Sequence, residues 1–315
     1  MENLIKINNL YVEYQIKKGI FETKKIIHAV NGVSLEIKEG EILALAGESG
    51  CGKSTLAKAL INLVPYKKGC IIFNNCISTE SKEFRTFAQM IFQNPYASLN
   101  PKMKIGEILR EPLEINTNYN KSKISNIVLE KIKLVGLDKS CLDLYPHEFS
   151  GGQRQRVAIA RALMLEPKFI IADEPVSALD VSIQAQIINL IKNLKEELGI
   201  TFLLITHDLR VIEHLADRTA IMYLGEIVET GKTRDIFSNP MHPYTKALLS
   251  SIPNMYKSTS QKIILKGDLP SPQNPPEGCK FHTRCPRVMN ECKTKIPSEI
   301  GINHKVKCFL YTKTV

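Results

Sequence analysis

Nine residues, 47-GESGCGKST-55, set three glycines, a lysine and adjacent hydroxyls in the order G-x-x-x-x-G-K-[ST]. Gly47, Gly50 and Gly52 let backbone N–H groups turn inward around phosphate oxygens. Lys53 then reaches the β and γ phosphates, and the Ser54 hydroxyl ligates Mg2+. Glu48, Ser49, Cys51 and Thr55 complete the same phosphate-binding loop. A second pair, Asp173 and Glu174, ends the apolar run 169-FIIADE-174. Asp173 suits holding Mg2+, directly or through water, and Glu174, slightly further out, suits orienting and deprotonating an attacking water. Two carboxylates at a strand end alone also describe a solvated turn; beside the lysine loop they describe phosphoryl-transfer chemistry. A third stretch, 147-HEFSGGQRQRVAIARAL-163, sets Ser150, Gly151, Gly152 and Gln153 before a basic helical run. It reads as a turn with an N-cap, or as an anion site at a helix start, where unpaired N–H groups meet the positive dipole end.

These residues need particular elements to carry them. The continuous apolar run 42-ILALAG-47 predicts a strand buried on both faces, and 54-STLAKALINLV-64 predicts a helix stopping at Pro65. Upstream, IKINNLYVEYQ and AVNGVSLEIKEG alternate apolar with polar residues and predict short strands over 4–40. From about 95 to 165 the pattern becomes helical: Ile124, Ile127, Val128, Ile132 and Val135 share a face, and Gly136 supplies a C-terminal cap. FIIADE and 201-TFLLITH-207 predict two more buried strands around an amphipathic helix marked by Ile187, Leu190, Ile191, Leu194 and Leu198, ending at Gly199. Strands alternating with helices predict a parallel α/β sheet. IMYLGEIVE predicts a hairpin, and 269-LPSPQNPPEG-278 predicts a linker before a short cysteine-bearing tail.

At 315 residues, with 43% hydrophobic and 23% charged residues, the composition is that of a globular chain with ample core. No apolar run approaches the roughly 18 to 20 residues of a membrane helix. The opening MENLIKINNLYVEYQ lacks the apolar core of a signal peptide. A cytosolic chain is expected, with any membrane link made through a partner. The net charge of +10 permits nucleic-acid or anionic-lipid binding, yet its lysines are spread along the whole chain, as on a solvated surface. Disulfides are not expected in such a chain. Cys51, Cys70, Cys76 and Cys141 are dispersed and read as packing or bystander residues.

In this company SGGQ resembles the LSGGQ signature of ATP-binding cassette (ABC) ATPases, with Phe149 in place of the leucine. The resemblance implies a phosphate-loop ABC nucleotide-binding domain: a parallel core sheet with an antiparallel β subdomain and a helical subdomain. In that family the signature closes over the γ-phosphate of ATP held by the facing subunit, so that two ATPs are sandwiched in a head-to-tail dimer. Gln93 in 90-MIFQNP-95 resembles the glutamine that senses Mg2+ and the γ-phosphate. Asp180 in 177-SALD-180 resembles the aspartate at the dimer seam, and His207 in ITHD the switch histidine. Tyr14 matches the aromatic residue that stacks on adenine, with Tyr11 as its near rival. Beyond these motifs, IFQNPYASLNPKMKIGEILREPL, DEPVSALDVSIQAQIINL and NPMHPYTKALLSSIP are similar to bacterial dipeptide/oligopeptide importers, most of all to their second, F-type ATPase subunit.

That likeness implies an ABC ATPase domain over 1–250, with its helical subdomain at about 95–165, and a C-terminal extension over 251–315. It implies hydrolysis of ATP with Mg2+, a D-type sister ATPase, two membrane permeases and, indirectly, a substrate-binding protein. The place is the cytoplasmic face of the membrane, and no nucleic acid is a partner. The intact Glu174 and His207 imply a subunit that contributes to hydrolysis. Same-branch importers of nickel or another small solute are the alternative. DNA- and ribosome-acting ABC proteins fit less well: phosphate loop and signature lie only about 100 residues apart, without heptads, and there is one phosphate loop. The tail, Cys279-x5-Cys285-x6-Cys292-x15-Cys308, carries four thiols without the paired C-x2-C of common zinc sites. Peptide-importer ATPases with this pattern hold a [4Fe–4S] cluster, so the resemblance implies one here; zinc and unligated thiols stay open.

Overall fold

The alternating residues near the start of the chain form two long strands, β1 (Asn3–Ile16) and β2 (Lys25–Lys38), longer than the pattern suggests. Leu4, Ile5, Ile7, Leu10 and Val12 of β1 are buried, as are Val30, Val33, Leu35 and Ile37 of β2. The five residues of β3 (Ile42–Ala46) are all buried, and α1 (Lys53–Leu60) follows the phosphate loop. Helix α1 stops well before Pro65. Asn62 adopts a left-handed φ of 57°, Leu63 N–H donates to Lys58 O and Asn62 N–H to Ala59 O, a Schellman ending built on asparagine. β4 (Lys68–Phe73) then pairs antiparallel with β1.

The chain continues through α2 (Lys82–Phe87), β5 (Ala88–Ile91), α3 (Pro95–Ser98), α4 (Ile105–Asn116), α5 (Lys121–Leu134), α6 (Gly151–Leu163), β6 (Phe169–Asp173), α7 (Val181–Leu198) and β7 (Thr201–Ile205). It closes with α8 (Leu209–Leu215), β8 (Arg218–Tyr223), β9 (Glu226–Lys232), α9 (Thr233–Ser238), α10 (Pro243–Ser250), β10 (Glu299–Ile300) and β11 (Lys305–Lys307). The computed structural model describes residues 2–16, 25–73, 81–177, 179–252, 263–265 and 267–312. Cys76 and Ala178 of the SALD run lie outside the described residues.

Two compact units emerge. The helix-rich unit comprises residues 1–2, 38–42 and 74–205. Its strands β7, β6 and β5 are parallel neighbours in that order, with Asp173 opposite Ile205 and Ala88 opposite Phe169. Every residue of β6 and β7 is buried, which is why their sequences read as unbroken apolar runs. Helix α6 packs against β5, α3, α4, α5 and α7 and so stands at the centre of the helical layer. At the end of α5, Gly136 takes φ 72° and Leu137 N–H donates to Ile132 O, the glycine cap expected from sequence.

The other unit, residues 3–37, 43–73 and 206–315, holds the sheets and the tail. One sheet has the order β2-β1-β4, with β1 and β4 antiparallel; a second runs β10-β11-β9-β8-β3, with β3 and β8 parallel and the rest antiparallel. The β8–β9 hairpin turns on Leu224 and Gly225, both at positive φ (43° and 80°), the mirror-image turn that matches strand twist. Its core gathers Ala44, Ile212, Ile221, Tyr223, Tyr244 and Phe281. Phe281 comes from the tail, and β11 pairs with β9, so the tail takes part in the same core and the same sheet.

Candidate active site

In the sheet-and-tail unit, the apolar β3 delivers the chain to Gly47 with its backbone already buried. A Cβ on Gly47 would lie 2.2 Å from the Met222 carbonyl, and one on Gly52, at φ 109°, would lie 2.2 Å from the Ala29 carbonyl. Both positions therefore demand glycine. Gly52 precedes α1 without any side-chain cap, so the positive end of the helix dipole faces the loop. Lys53 is buried, its Nζ donating to the carbonyls of Gly47 (2.8 Å) and Glu48 (3.0 Å) and lying 3.8 Å from Cys51 Sγ. Burial raises the Cys51 thiol pKa, an effect partly offset by Lys53, so Cys51 fills the loop as a neutral group. Ser54 and Thr55 lie on the first turn of α1. Tyr14 Oη donates to Thr55 Oγ1 at 3.4 Å, which puts Tyr14 beside the loop's helix. Tyr11 instead lies against Gly32, with Lys68 over its ring. His207 is exposed, between buried Thr206 and Asp208, whose side chain caps α8 through Arg210 N–H.

The helix-rich unit holds the carboxylates. Asp173 ends β6 and is buried. Glu174 leaves the strand at φ 46°, a left-handed conformation that costs an ordinary residue about 1–2 kcal/mol. Its N–H still donates to Ile205 O at 2.8 Å, extending the ladder one residue beyond Asp173. The outcome is a carboxylate turned out of the strand, where Glu174 Oε2 accepts from Gln93 Nε2 at 2.8 Å. Gln93 and Glu174 line one cavity together with Tyr96, Gly151, Arg154 and Leu179.

The N-cap reading of the SGGQ stretch is realised at the start of α6. Ser150 Oγ accepts from Gln153 N–H (3.3 Å) while Gln153 Oε1 accepts from Ser150 N–H (3.0 Å), a reciprocal capping box. The box satisfies those two amides and leaves those of Gly151 and Gly152 at the helix start as potential anion donors. The two glycines differ. Gly151 is exposed, whereas a Cβ on Gly152 would meet Ile183 Cγ2 at 2.5 Å, so Gly152 serves the packing of α6 on α7. Asp180 is the exposed N-cap residue of α7, and Gln184 Nε2 fastens the preceding turn by donating to Val176 O and Leu179 O.

The tail thiols are free among the described residues. Cys279 N–H donates to Cys292 O, and burial, reinforced by Cys292, Cys308 and Cys285, pushes the Cys279 thiol up to about 12. Burial also raises Cys285 and Cys308. Among the described residues, however, no three His, Cys, Asp or Glu side chains are grouped to hold a metal ion. The sulfurs share one region without converging on one ligand set.

Sequence reasoning missed two residues at the loop. Glu48 N–H donates to Tyr244 Oη (2.8 Å), and Arg284 Nη1 donates to both Glu48 carboxylate oxygens (2.9 and 3.1 Å). These pairs are 196 and 236 residues apart in the chain, and no local pattern announces them.

A glycine-flanked lysine loop, a strand-end carboxylate pair and a capped SGGQ helix together define an ABC-type ATP-binding cassette. The family profile described as "ABC transporter" matches residues 30–177, and "Oligopeptide/dipeptide transporter, C-terminal region" matches residues 228–292. The chain is 47% identical over 323 residues to "Oligopeptide transport ATP-binding protein AppF" of Bacillus subtilis (strain 168), covering 99% of this chain and 98% of that protein. It is 49% identical over 290 residues to "Dipeptide transport ATP-binding protein DppF" of Haemophilus influenzae, covering 90% and 89%. Among solved structures it resembles the dimeric, post-hydrolysis ATP-binding cassette MJ0796 bound to ADP and Pi, with a TM-score of 0.65 and 32% identity over 73% of this chain and 99% of that one. The chain belongs to the oligopeptide/dipeptide importer family of ABC transporter ATP-binding subunits.

Proposed function

We propose that this chain hydrolyses ATP to drive the uptake of di- and oligopeptides by a bacterial ABC importer, as a peripheral subunit on the cytoplasmic face of the membrane. The observation that carries this reading is the phosphate loop: a buried Lys53 ammonium lying over loop carbonyls at the uncapped start of α1. The chain's relatives carry peptide-transport names, which favours peptides over nickel as cargo. No helix among the described residues is long and apolar enough to cross a membrane, so passage requires other subunits.

The chemistry assigns each residue a task. Gly47 to Thr55 bind the phosphates, with Lys53 balancing their charge, and Tyr14 stacks on the adenine. Glu174 takes the proton of the attacking water as its oxygen bonds to the γ-phosphorus and the bond to the ADP oxygen breaks. Gln93 sets the orientation of Glu174 through the hydrogen bond already present, and His207 contacts the γ-phosphate. Ser54, Gln93 and Asp173 offer the hydroxyl, amide and carboxylate oxygens that a hard Mg2+ ion prefers. Mg2+ neutralises charge on the phosphates when bound.

The partners follow from the signature. Ser150, Gly151, Gly152 and Gln153 bind the γ-phosphate held by a D-type sister ATPase in a head-to-tail dimer, with Asp180 at its seam. Two permeases and a substrate-binding protein complete the importer, and nucleic acid is not a partner. Residues 1–250 form the ATPase domain and 251–315 its extension. Glu174→Gln is expected to keep ATP binding and to cut turnover by roughly 100-fold or more. It should also accumulate an ATP-bound dimer with the sister subunit. Lys53→Ala should lose binding and turnover together. Normal hydrolysis by the Glu174→Gln protein would reject the base assignment.

We also propose that Cys279, Cys285, Cys292 and Cys308 take up a [4Fe–4S] cluster. Their number and thiol chemistry support this, and cluster insertion would have to draw the sulfurs together. Protein purified without oxygen should carry about four irons and absorb in the thiolate-to-iron region, and substituting any of the four cysteines by serine should bleach it. Iron-free, colourless protein from that preparation would rule the cluster out.

A further inference from the structure

The stretch NPMHPYTKALLSSI and the tail residues between Cys279 and Cys285 have no task in the nucleotide chemistry described above. Both are brought to the back of the phosphate loop. His242 is buried, and its Nδ1 accepts from Tyr244 N–H at 3.1 Å, which caps α10 and fixes the start of that helix. The His242 N–H and Met241 N–H both donate to the buried Glu229 carboxylate, at 2.9 and 2.7 Å. Tyr244, fully buried, packs edge-on against Tyr223 (centroids 4.7 Å) and lies 5.4 Å from the Phe281 ring. From this fixed position its hydroxyl accepts from Glu48 N–H. Three residues beyond Phe281, the Arg284 guanidinium grips the Glu48 carboxylate, with both side chains largely shielded from water.

Glu48 thus has its N–H and its carboxylate taken by protein groups, which makes it an anchor of the loop. We propose that Tyr244 and Arg284 are positioning residues: they hold the peptide of Glu48 so that the loop keeps its nucleotide-binding shape before ATP arrives. A loop already in its bound shape loses less conformational freedom on binding, so this strut acts on affinity. The inference rests on the reading of this loop as the ATP site.

The test compares full-length Arg284→Ala, Arg284→Lys, Tyr244→Phe, Glu48→Gln and the double variant Glu48→Gln/Arg284→Ala. For each, the affinity for a fluorescent ATP analogue, the KM and kcat for ATP in the assembled importer, and unfolding without nucleotide are measured. Arg284→Ala should weaken nucleotide affinity and raise KM by about tenfold, with kcat changed less than about twofold, and Glu48→Gln should weaken affinity to a similar degree. Tyr244→Phe should give a smaller loss of a few-fold, and Arg284→Lys should recover most of the affinity. The double variant should be no worse than either single one, because both remove the same contact. Unchanged affinity in folded Arg284→Ala, or single losses that multiply in the double variant, would overturn the proposal. If Arg284→Ala does not fold, Glu48→Gln carries the comparison, and unchanged affinity there overturns the proposal. Wild-type ATP binding by Lys53→Ala would overturn the reading of the loop instead.

Discussion

Gly151 and Gly152 are neighbours with the same side chain and different duties. Gly152 is pressed against Ile183, where even a methyl group would intrude at 2.5 Å. Gly151 meets only the flexible end of Leu179, at 3.3 Å. Alanine is the better helix former by about 1 kcal/mol, so Gly151→Ala should leave thermal stability unchanged or raised. Any loss of ATPase activity in that variant then reports on phosphate approach. Gly152→Ala should destabilise the protein by about 1–3 kcal/mol in urea unfolding, and adding Ile183→Ala should restore part of that loss. Equal stability of the two single variants would refute this division of labour. Glu174 illustrates a related point. Its type was legible in the sequence, while its left-handed backbone was not, because φ depends on the strand beneath it and on the Ile205 carbonyl that catches its N–H.

At the scale of elements, the sequence speaks most clearly where one face or both are buried. β3, β6 and β7 are continuous apolar runs because both of their faces are covered, and each appears where those runs predict it. The same logic explains what was not read. β4 is mostly exposed, β5 spans four residues, and β10 and β11 span two and three, so none presents enough period to register. The overlong expectation for α1 has a different cause: asparagine at position 62 ends the helix through its backbone, a role its side chain does not advertise. The N-cap of α6 was legible as a possibility from Ser150, whereas the reciprocal bond from Ser150 N–H to the Gln153 side chain was not read. The anchoring of Glu48 was not legible, since its partners come from helix α10 and from the tail.

For the molecule as a whole, the tail belongs to the core it joins. Phe281 touches Tyr223, Tyr244 and His242, and Val306 is fully buried opposite Glu229. Burying a phenylalanine and a valine stabilises a fold by about 1.5–3 kcal/mol each, a large share of a typical domain's margin. A chain ending at residue 268 is therefore expected to be far less stable than the full chain, with unfolding at markedly lower urea and loss of soluble yield. A truncated protein that melts with the full-length one would show the tail to be merely appended.

The short strand β11 has one more effect. By pairing with β9 and receiving β10 on its other side, it gives the outer backbone groups of a well-formed hairpin a partner from the same polypeptide. An importer concentrates its ATPases side by side beneath a membrane, where an open row of amides and carbonyls would invite a neighbouring copy to zip on. At Glu229 and Thr230 that row is covered by its own chain, and the sheet ends beyond it in a two-residue stub too short to template a neighbour.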